Sequence, residues 1–272
     1  MKYAVMGSPV SHSLSPRIHR AFAAQFGRNL SYEAIEVQRG DLAAALESFV
    51  CEGGVGANIT APLKHEAFAL CTTRSDRAER AGVVNTLVAM PDGGWYGDLT
   101  DGIGLIRSLT RHYGQDLRDR RTLLLGAGGA AHAILPTLLD AGVGEVVIVN
   151  RDGAKADALA DRIGEPSRVV TRRIEQVPEV GAFDLIVNTI SEDPTKVFGL
   201  SGDVLTGRPL IVDLNYGERA SALRAFATVH GAPVFADGLG MLIEQAAESY
   251  ALWNEGSMPD VEPLYKELGD KY

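Results

Sequence analysis

The sequence predicts an α/β protein made of two domains. Strand-like apolar runs alternate with helical patterns along the chain, as expected for sheets covered by helices. A glycine-rich turn near the middle, between two apolar runs, marks the start of a second such arrangement. With 272 residues, of which 46% are hydrophobic, the chain is long enough to bury two moderate cores.

The first hundred residues alternate strands with helices. Short apolar runs bounded by turn residues predict the strands, and longer periodic segments predict the helices. The predicted strands cover residues 3–6, 32–37, 56–60, 85–90 and 94–96, and the predicted helices cover residues 16–26 and 41–52 and begin again near Pro62. The last two strands form a pair around the turn from Pro91 to Gly94.

The second half of the chain repeats this alternation after a helix predicted over residues 102–113. The predicted strands cover residues 122–125, 146–149, 169–171, 185–188 and 210–213, and the predicted helices cover residues 130–141 and 155–163. A long apolar helix over residues 241–253 and a helical tail over residues 259–268 are expected to return to the first domain. We therefore place one domain at residues 1–101 plus 240–272 and the other at residues 102–239.

The turn after the strand at residues 122–125 has the residues that a bound dinucleotide requires. Gly126, Gly128 and Gly129 allow a tight turn and let backbone N–H groups approach a pyrophosphate at the positive end of the next helix. Ala131 fits the close-packing position, and a β-branched strand closes the unit. The pattern predicts a Rossmann-type dinucleotide-binding domain, with a glycine-rich turn that binds no ligand as the alternative.

The residues after the next strand bear on which dinucleotide binds. Asn150 stands where NAD enzymes usually place a carboxylate on the ribose 2′-hydroxyl, and Arg151 can neutralise a 2′-phosphate. Lys155 also favours a phosphate, whereas Asp152 disfavours one. We therefore expect NADP, with NAD as the other possibility.

Composition narrows the class of partner. A net charge of −9 argues against nucleic acid or an anionic membrane surface, so small molecules are the expected partners. Two cysteines are too few for a disulfide framework, and the six histidines share no metal-type spacing, so we expect a reducing compartment and no metal. The first seven residues resemble a buried strand more than a signal peptide, and no apolar run approaches membrane-spanning length. A cytoplasmic protein is expected.

Two hydroxyls precede the first helix. Ser15 is suited to the N-cap and Pro16 to the first helical position, so capping alone would explain part of this pattern. Capping needs only one hydroxyl, however, and Ser13 supplies a second at a helix end where free N–H groups favour an anion. The pattern leaves a simple cap and a substrate carboxylate site as alternatives.

Lys64 and Asp101 are the candidate proton-transfer residues. A lysine in a first helical turn is mildly disfavoured by the helix dipole, which sets Lys64 apart from an ordinary surface lysine. Lysines beside carboxylates can donate and accept protons when their surroundings tune the pKa. From the residues alone, the favoured interpretations are a solvated lysine for Lys64 and an N-cap of the following helix for Asp101.

Taken together, these motifs resemble the shikimate dehydrogenase family over essentially the whole chain. The matching segments are residues 5–16, 58–64, 81–86, 100–102, 126–130, 150–151 and 236–242. The resemblance implies reversible NADP-dependent reduction of 3-dehydroshikimate to shikimate in aromatic amino acid biosynthesis. Hydride would pass between the substrate and C4 of the nicotinamide.

The resemblance also implies which residues bind the substrate. Those expected to do so are Ser13 and Ser15 at the carboxylate, Thr60, Asn85, Asp101 and Gln245 at the ring hydroxyls, and Tyr216 nearby. Lys64 and Asp101 correspond to the family's catalytic pair, in which the lysine exchanges a proton with the reacting oxygen and the aspartate orients it. The site would lie in a cleft between the domains, whose closure brings the nicotinamide to the substrate.

Cofactor contacts follow from the same resemblance. The expected residues are Asp76, Gly126, Ala127, Gly128, Gly129, Ala130, Asn150, Arg151, Asp152, Lys155, Leu214 and Gly238. Leu99, residues 188–191 and Asp152 depart from the family's usual residues. These departures keep open a paralogue that uses NAD or acts on quinate or aminoshikimate, and a remoter alternative is a cofactor-binding protein without catalysis. A monomer or a homodimer is expected.

Overall fold

The computed structural model describes residues 1–179 and 181–269, which form two compact units. Met1–Gly104 together with the segment from Leu242 makes up the first unit, and Leu105–Met241 makes up the second. Each unit has its own six-stranded sheet. The second unit is continuous in sequence and interrupts the first. Substrate binding by one domain and cofactor binding by the other stay predictions.

The first unit contains six strands and most of its helices in its N-terminal segment. The strands are β1 (Lys2–Gly7), β2 (Ser31–Glu36), β3 (Gly54–Ile59), β4 (Thr73–Arg74), β5 (Thr86–Ala89) and β6 (Trp95–Asp98). The helices are α1 (Ser15–Gln25), α2 (Leu42–Cys51), α3 (Lys64–Leu70), α4 (Asp76–Ala81) and α5 (Asp101–Arg107), the last of which continues as a π-helical turn over Ser108–His112.

The sheet of the first unit gathers the candidate substrate residues at one edge. Its order is β2-β1-β3-β5-β6-β4, with β1 parallel to β2 and β3, and β5 antiparallel to β3 and β6. The carboxyl ends of β1, β3 and β6 therefore meet the start of β5 at the same edge. Ser8 N donates to Ala61 O at 3.0 Å, which ties the loops after β1 and β3 together there.

The second unit contains strands β7 (Thr122–Leu125), β8 (Val146–Val149), β9 (Val169–Arg172), β10 (Leu185–Asn188), β11 (Leu210–Asp213) and β12 (Val234–Ala236). Its helices are α6 (Gly129–Asp140), α7 (Gly153–Ile163), α8 (Pro194–Val197) and α9 (Ser221–Val229). Short 3₁₀ turns cover Ile174–Glu179, Gly202–Leu205 and Gly217–Ala220. The chain ends with α10 (Gly238–Trp253) and α11 (Glu262–Gly269).

All strands of the second sheet are parallel, in the order β12-β11-β10-β7-β8-β9. Counted along the chain from β7, this order is the 3-2-1-4-5-6 order of the Rossmann fold. The four strands β7, β8, β10 and β11 are buried throughout, as expected for parallel strands covered on both faces. The predicted α/β fold with a Rossmann-type domain is confirmed.

An aromatic cluster shows that the C-terminal helix packs in the first unit. The ring of Trp253, from α10, stacks on Tyr3 with centroids 4.6 Å apart. Its Nε1 donates to Leu87 O at 2.9 Å. His19 stacks on Tyr32 at 4.4 Å and also approaches Trp253. The predicted return of the C-terminal helix to the first domain is therefore confirmed.

Several elements differ from the sequence predictions. The helix expected over residues 102–113 is α-helical only to Arg107, and the tail helix begins at Glu262 rather than Pro259. The prediction omitted β4, α4, β12, α8 and α9. Most of the omitted elements are short, so their sequences hold too few periods of apolar residues to be recognised.

Candidate active site

Lys64 and Asp101 form an ion pair in the first unit. Lys64 is the first residue of α3 and Asp101 the first residue of α5. Lys64 Nζ donates to Asp101 Oδ2 at 2.6 Å, and the two side chains are only 11% and 9% exposed. The solvated-lysine interpretation is therefore wrong. A nearly buried ammonium held by one carboxylate oxygen has two other N–H donors for a ligand.

Ser13 and Ser15 lie together at the start of α1. The prediction that Ser15 is the N-cap is wrong, because the N-cap is Leu14, whose side chain makes no capping hydrogen bond. Ser15 is instead the first helical residue, and Ser13 Oγ accepts from its backbone N–H at 3.2 Å. The two hydroxyl oxygens are 3.1 Å apart. Their convergence at a helix N-terminus suits a carboxylate.

Asn85 and Gln245 present buried amides beside the ion pair. Asn85 Nδ2 donates to Gln245 Oε1 at 3.3 Å and to Thr100 Oγ1 at 2.9 Å. Asn85 Oδ1 accepts from the backbone N–H of Thr100 at 2.8 Å. Because Thr100 immediately precedes Asp101, these bonds join the amide pair to the carboxylate that holds Lys64. The structure thus brings together four of the predicted site residues.

A layer of buried hydroxyl groups forms hydrogen bonds with the residues around these amides. Ser249 Oγ, from α10, lies 2.8 Å from Thr86 Oγ1 and 3.1 Å from Thr100 Oγ1. Asn58 Nδ2 donates to Ser249 Oγ at 3.0 Å and to Thr86 Oγ1 at 3.1 Å. Ser249 and Thr86 are fully buried, so each bond lies in a medium of low dielectric. The sequence analysis assigned no role to this layer.

Tyr32 extends the polar layer toward the serines. Its hydroxyl donates to Asn58 Oδ1 at 2.7 Å. Burial raises the pKa of Tyr32 well above its usual value, an effect opposed by a hydrogen bond with Ser15. Burial also lowers the pKa of His19, stacked on Tyr32, to about 3, with Asn58 opposing the shift. Both rings are therefore neutral at physiological pH.

Asp98 fixes the segment that leads into Asp101. The Arg77 guanidinium donates to both of its oxygens at 2.6 Å, and the Ser75 hydroxyl donates to Oδ1 at 2.6 Å. The backbone N–H of Leu99 also donates to Oδ1, at 2.7 Å. Although burial alone would raise the pKa of Asp98, these donors hold it below its usual value. The departure from the family's usual residue at Leu99 thus leaves a well-anchored strand end.

Thr60 and Tyr216 complete the predicted substrate residues. Thr60 follows β3, and its backbone N–H donates to Met6 O at 2.9 Å. This bond places Thr60 at the same sheet edge as Ser13 and Lys64. Tyr216 lies in the second unit, where it precedes the 3₁₀ turn Gly217–Ala220. Its contact with substrate stays a prediction.

The glycine-rich turn has the geometry that a pyrophosphate requires. Gly126 has φ +106°, a left-handed conformation that favours glycine, and a Cβ there would overlap Thr189 and Ile190. Gly128 is the N-cap of α6, has no side-chain cap, and faces open space where a Cβ would stand. Ala127 and Ala130 lie between and after these glycines. Free N–H groups at this helix end therefore face an open position, which fits a dinucleotide.

The predicted cofactor residues after β8 form hydrogen bonds and an ion pair within the protein. Asp152 is the N-cap of α7, and its Oδ1 accepts from Ala154 N at 3.1 Å. Asn150 Nδ2 donates to Asp152 O at 2.9 Å. Arg151 pairs with Glu192 at 2.8 Å, and Lys155 is exposed in the first turn of α7. Capping explains Asp152 without NAD, so this residue is no longer an argument for NAD.

The other predicted cofactor residues lie in two places. Gly238 packs so closely on Leu214 that a Cβ would overlap the Leu214 carbonyl oxygen, and its N–H donates to Asn215 O at 2.9 Å. Both residues belong to the second unit. Asp76 is exposed at the start of α4 in the first unit, and its cofactor contact stays a prediction.

Sequence reasoning missed Ser249 and Glu192. Ser249 lies four residues after Gln245, on the same face of a helix, and this spacing was a signal that could have found it. Glu192 reaches Arg151 across a sheet whose strand order cannot be read from local sequence.

Within the described ranges, no helix has the length and apolar character needed to cross a bilayer. The same ranges contain no group of three or more His, Cys, Asp or Glu side chains placed to hold a metal.

Comparison with known proteins identifies the family. Three family models match: the shikimate dehydrogenase substrate binding domain over residues 5–87, shikimate / quinate 5-dehydrogenase over residues 108–199, and the shikimate 5′-dehydrogenase C-terminal domain over residues 238–268. A shikimate dehydrogenase (NADP(+)) from Xylella fastidiosa strain M12 is 51% identical over 274 residues, covering 100% of this chain and 96% of its own. The chain belongs to the shikimate dehydrogenase family. The family predicted from the motifs is confirmed.

A second relative and two solved structures also resemble this chain. A shikimate dehydrogenase (NADP(+)) from Xanthomonas euvesicatoria is 52% identical over 270 residues, covering 98% of this chain and 95% of its own. The crystal structure of an Ael1 enzyme from Pseudomonas putida has a TM-score of 0.87 at 42% identity, covering 98% and 97% of the two chains. A shikimate dehydrogenase from Thermus thermophilus, solved with NADP(H) and shikimate, has a TM-score of 0.85 at 31% identity and full coverage of both chains.

Proposed function

We propose that this chain catalyses the reversible NADP-dependent reduction of 3-dehydroshikimate to shikimate. The observation that carries the proposal is the nearly buried pair of Lys64 and Asp101, joined through Thr100 to the amides of Asn85 and Gln245. A polyhydroxylated ring acid needs a proton donor, several hydrogen-bonding groups and a carboxylate site. We propose that the ion pair, the two amides and the two serines of the first unit supply these three functions.

In the proposed reaction, Lys64 Nζ gives a proton to the developing alkoxide during reduction and takes it back during oxidation. Asp101 Oδ2 fixes the direction of the ammonium and accepts one of its three N–H groups. Because both side chains are nearly shielded from water, their charges act on the substrate with little screening. NADP, when bound, supplies or receives the hydride.

The remaining residues of the first unit orient the substrate. Ser13 and Ser15 bind its carboxylate at the start of α1, and Thr60, Asn85 and Gln245 bind the ring hydroxyls. Tyr216 is proposed to contact the substrate from the second unit. Fixing the ring by several short bonds restricts it to orientations in which its 3-oxygen faces Lys64.

The cofactor proposal concerns the second unit. The open turn at Gly126 and Gly128 receives the pyrophosphate, and Arg151 with Lys155 receives the 2′-phosphate that distinguishes NADP from NAD. The relatives from Xylella and Xanthomonas carry NADP(+) in their names, which supports this choice.

The test is a comparison of two lysine variants with the wild-type protein. Lys64→Ala should lower kcat for NADPH formation from shikimate by about 100- to 10,000-fold, because general acid–base catalysis contributes about that much. NADP⁺ binding measured by calorimetry should be unchanged. Lys266→Ala, an exposed lysine of α11, is the matched control and should keep full activity. Equal turnover in the wild-type protein and Lys64→Ala would contradict the assignment.

The rival proposals are separated by a substrate panel. Shikimate, quinate and aminoshikimate are each offered with NADP⁺ and with NAD⁺, and the ratios of kcat/KM are compared. A tenfold preference for NAD⁺, equal to about 1.4 kcal/mol, would replace our cofactor assignment. Cofactor binding without turnover of any substrate would support a non-catalytic role. The proposal also includes a cytoplasmic monomer or homodimer, which fractionation and size-exclusion chromatography can test.

A further inference from the structure

We propose that Glu192 tunes the affinity of this chain for NADP by competing with the 2′-phosphate for Arg151. The inference rests on the proposed function, in which Arg151 binds that phosphate. No family motif that we identified in the sequence includes Glu192. It is proposed to determine specificity without taking part in the chemical step.

The ion pair of Arg151 and Glu192 is the first observation. Arg151 Nη2 donates to Glu192 Oε1 at 2.8 Å, and Ser191 Oγ lies 3.4 Å from Glu192 Oε2. The side chains are 65% and 49% exposed, so both remain in contact with water. An ion pair of this kind is weak and exchanges readily with another anion.

The position of the pair in the sheet is the second observation. Arg151 follows β8 and Glu192 follows β10, and β7 lies between these two strands. The pair therefore crosses the carboxyl edge of the sheet beside the glycine-rich turn that follows β7. In this strand order the crevice between β7 and β10 is where dinucleotides bind. The Glu192 carboxylate, on the β10 side of the crevice, thus pairs with the Arg151 guanidinium on the opposite side.

The charges determine the direction of the effect. A 2′-phosphate carries between about one and two negative charges near neutral pH, so Glu192 repels it and must release Arg151 for it to bind. NAD has a neutral 2′-hydroxyl at this position and needs no such exchange. Of the other charged residues here, Lys155 is exposed and Asp152 is engaged as a helix cap. Glu192 should therefore lower the affinity for NADP selectively.

The experiment measures cofactor binding by calorimetry in the absence of substrate. Glu192→Gln should bind NADP⁺ about three- to tenfold more tightly than wild type, the range expected when one exposed ion pair and one repulsion are removed. Binding of NAD⁺ should change by less than about twofold. The gain should shrink at high salt, because exposed charges are screened. Asp161→Asn, which removes an exposed carboxylate near the end of α7, is the matched control and should bind both cofactors as wild type does.

Arg151→Gln separates failure of this inference from failure of the proposed function. Arg151→Gln should weaken NADP⁺ binding, and adding Glu192→Gln to it should strengthen binding less than Glu192→Gln alone does, because only the repulsion between Glu192 and the phosphate is then left to remove. If Arg151→Gln leaves NADP⁺ binding unchanged, the assigned phosphate site is wrong. If Arg151→Gln weakens binding but Glu192→Gln alone does not strengthen it, only the role of Glu192 is refuted. Weaker NADP⁺ binding by Glu192→Gln would show that the glutamate positions Arg151 and would also overturn the inference.

Discussion

Replacing Ser249 by alanine should weaken the hydrogen bonds that position Asn85 and Gln245, which are proposed to bind substrate, although Ser249 itself is not proposed to contact it. Ser249 Oγ contacts three side chains and donates to Gln245 O at 3.0 Å, all within the buried polar layer. Each side-chain partner retains another bond: Asn58 Nδ2 with Thr86, and both threonine hydroxyls with Asn85. No buried group is left wholly unpaired, so the expected loss is about 1 to 2 kcal/mol in the free energy of unfolding.

The same substitution should raise the KM for shikimate about three- to tenfold while the KM for NADP⁺ stays unchanged. The reason is that the hydroxyls of Thr86 and Thr100, which bond to the amides of Asn85 and Gln245, lose their contact with Ser249. Both tryptophans, Trp95 and Trp253, belong to the first unit, so their fluorescence in urea reports the unfolding of that unit. Ser257→Ala, in the loop after α10, serves as the control.

A double-mutant cycle tests the reasoning most directly. The double variant Ser249→Ala with Thr86→Val should lose less free energy of unfolding than the sum of the two single variants. The two hydroxyls are 2.8 Å apart and share one hydrogen bond, which either single substitution already removes. Strict additivity, or a Ser249→Ala variant with wild-type stability and wild-type KM for shikimate, would refute the view that this layer positions the amides.

Two further predictions concern other parts of the chain. Because burial lowers the pKa of His19 to about 3 from 6.5, the unfolded chain takes up a proton that the folded chain does not as pH falls through that window. The free energy of unfolding should therefore fall below about pH 6.5 by up to about 1.4 kcal/mol per pH unit. Measured by urea titration at several pH values, the free energy of unfolding of His19→Phe should depend less steeply on pH than that of wild type. Parallel pH dependences would contradict this. Gly238→Ala should weaken NADP⁺ binding in calorimetry by about tenfold, since its Cβ would displace the Leu214 carbonyl at a cost of about 1 to 3 kcal/mol; unchanged binding would argue against a cofactor role here.

The sequence predicted the four buried strands of the second unit better than the other elements. Continuous apolar runs such as Leu123 to Leu125 are buried on both faces, so their composition alone identifies a strand. The bounds of β7, β8, β10 and β11 agree with the prediction to the residue. In the first unit, β4 has two residues and α4 has six, and such short elements are formed by tertiary packing rather than by periodicity.

Individual site residues could be predicted, but their mutual arrangement could not. Lys64 and Asp101 are 37 positions apart, and their pairing at 2.6 Å depends on β5 and β6 folding back against β3. The prediction of Ser15 as the N-cap was wrong for a local reason. Pro16 is compatible with both the first and the second helical position, and the helix begins one residue earlier than expected.

The interruption of the first unit by the second has a consequence for how the chain folds during synthesis. Leu105–Met241 contains every strand of its own sheet, so it can fold before the C-terminus has left the ribosome. The N-terminal segment, although made first, must wait for Ser249 to complete its polar layer and for Trp253 to cover Tyr3. The second unit is thus expected to fold before the first is complete, and a nascent chain stopped at Met241 would contain all six strands of the Rossmann sheet but would lack Ser249 and Trp253.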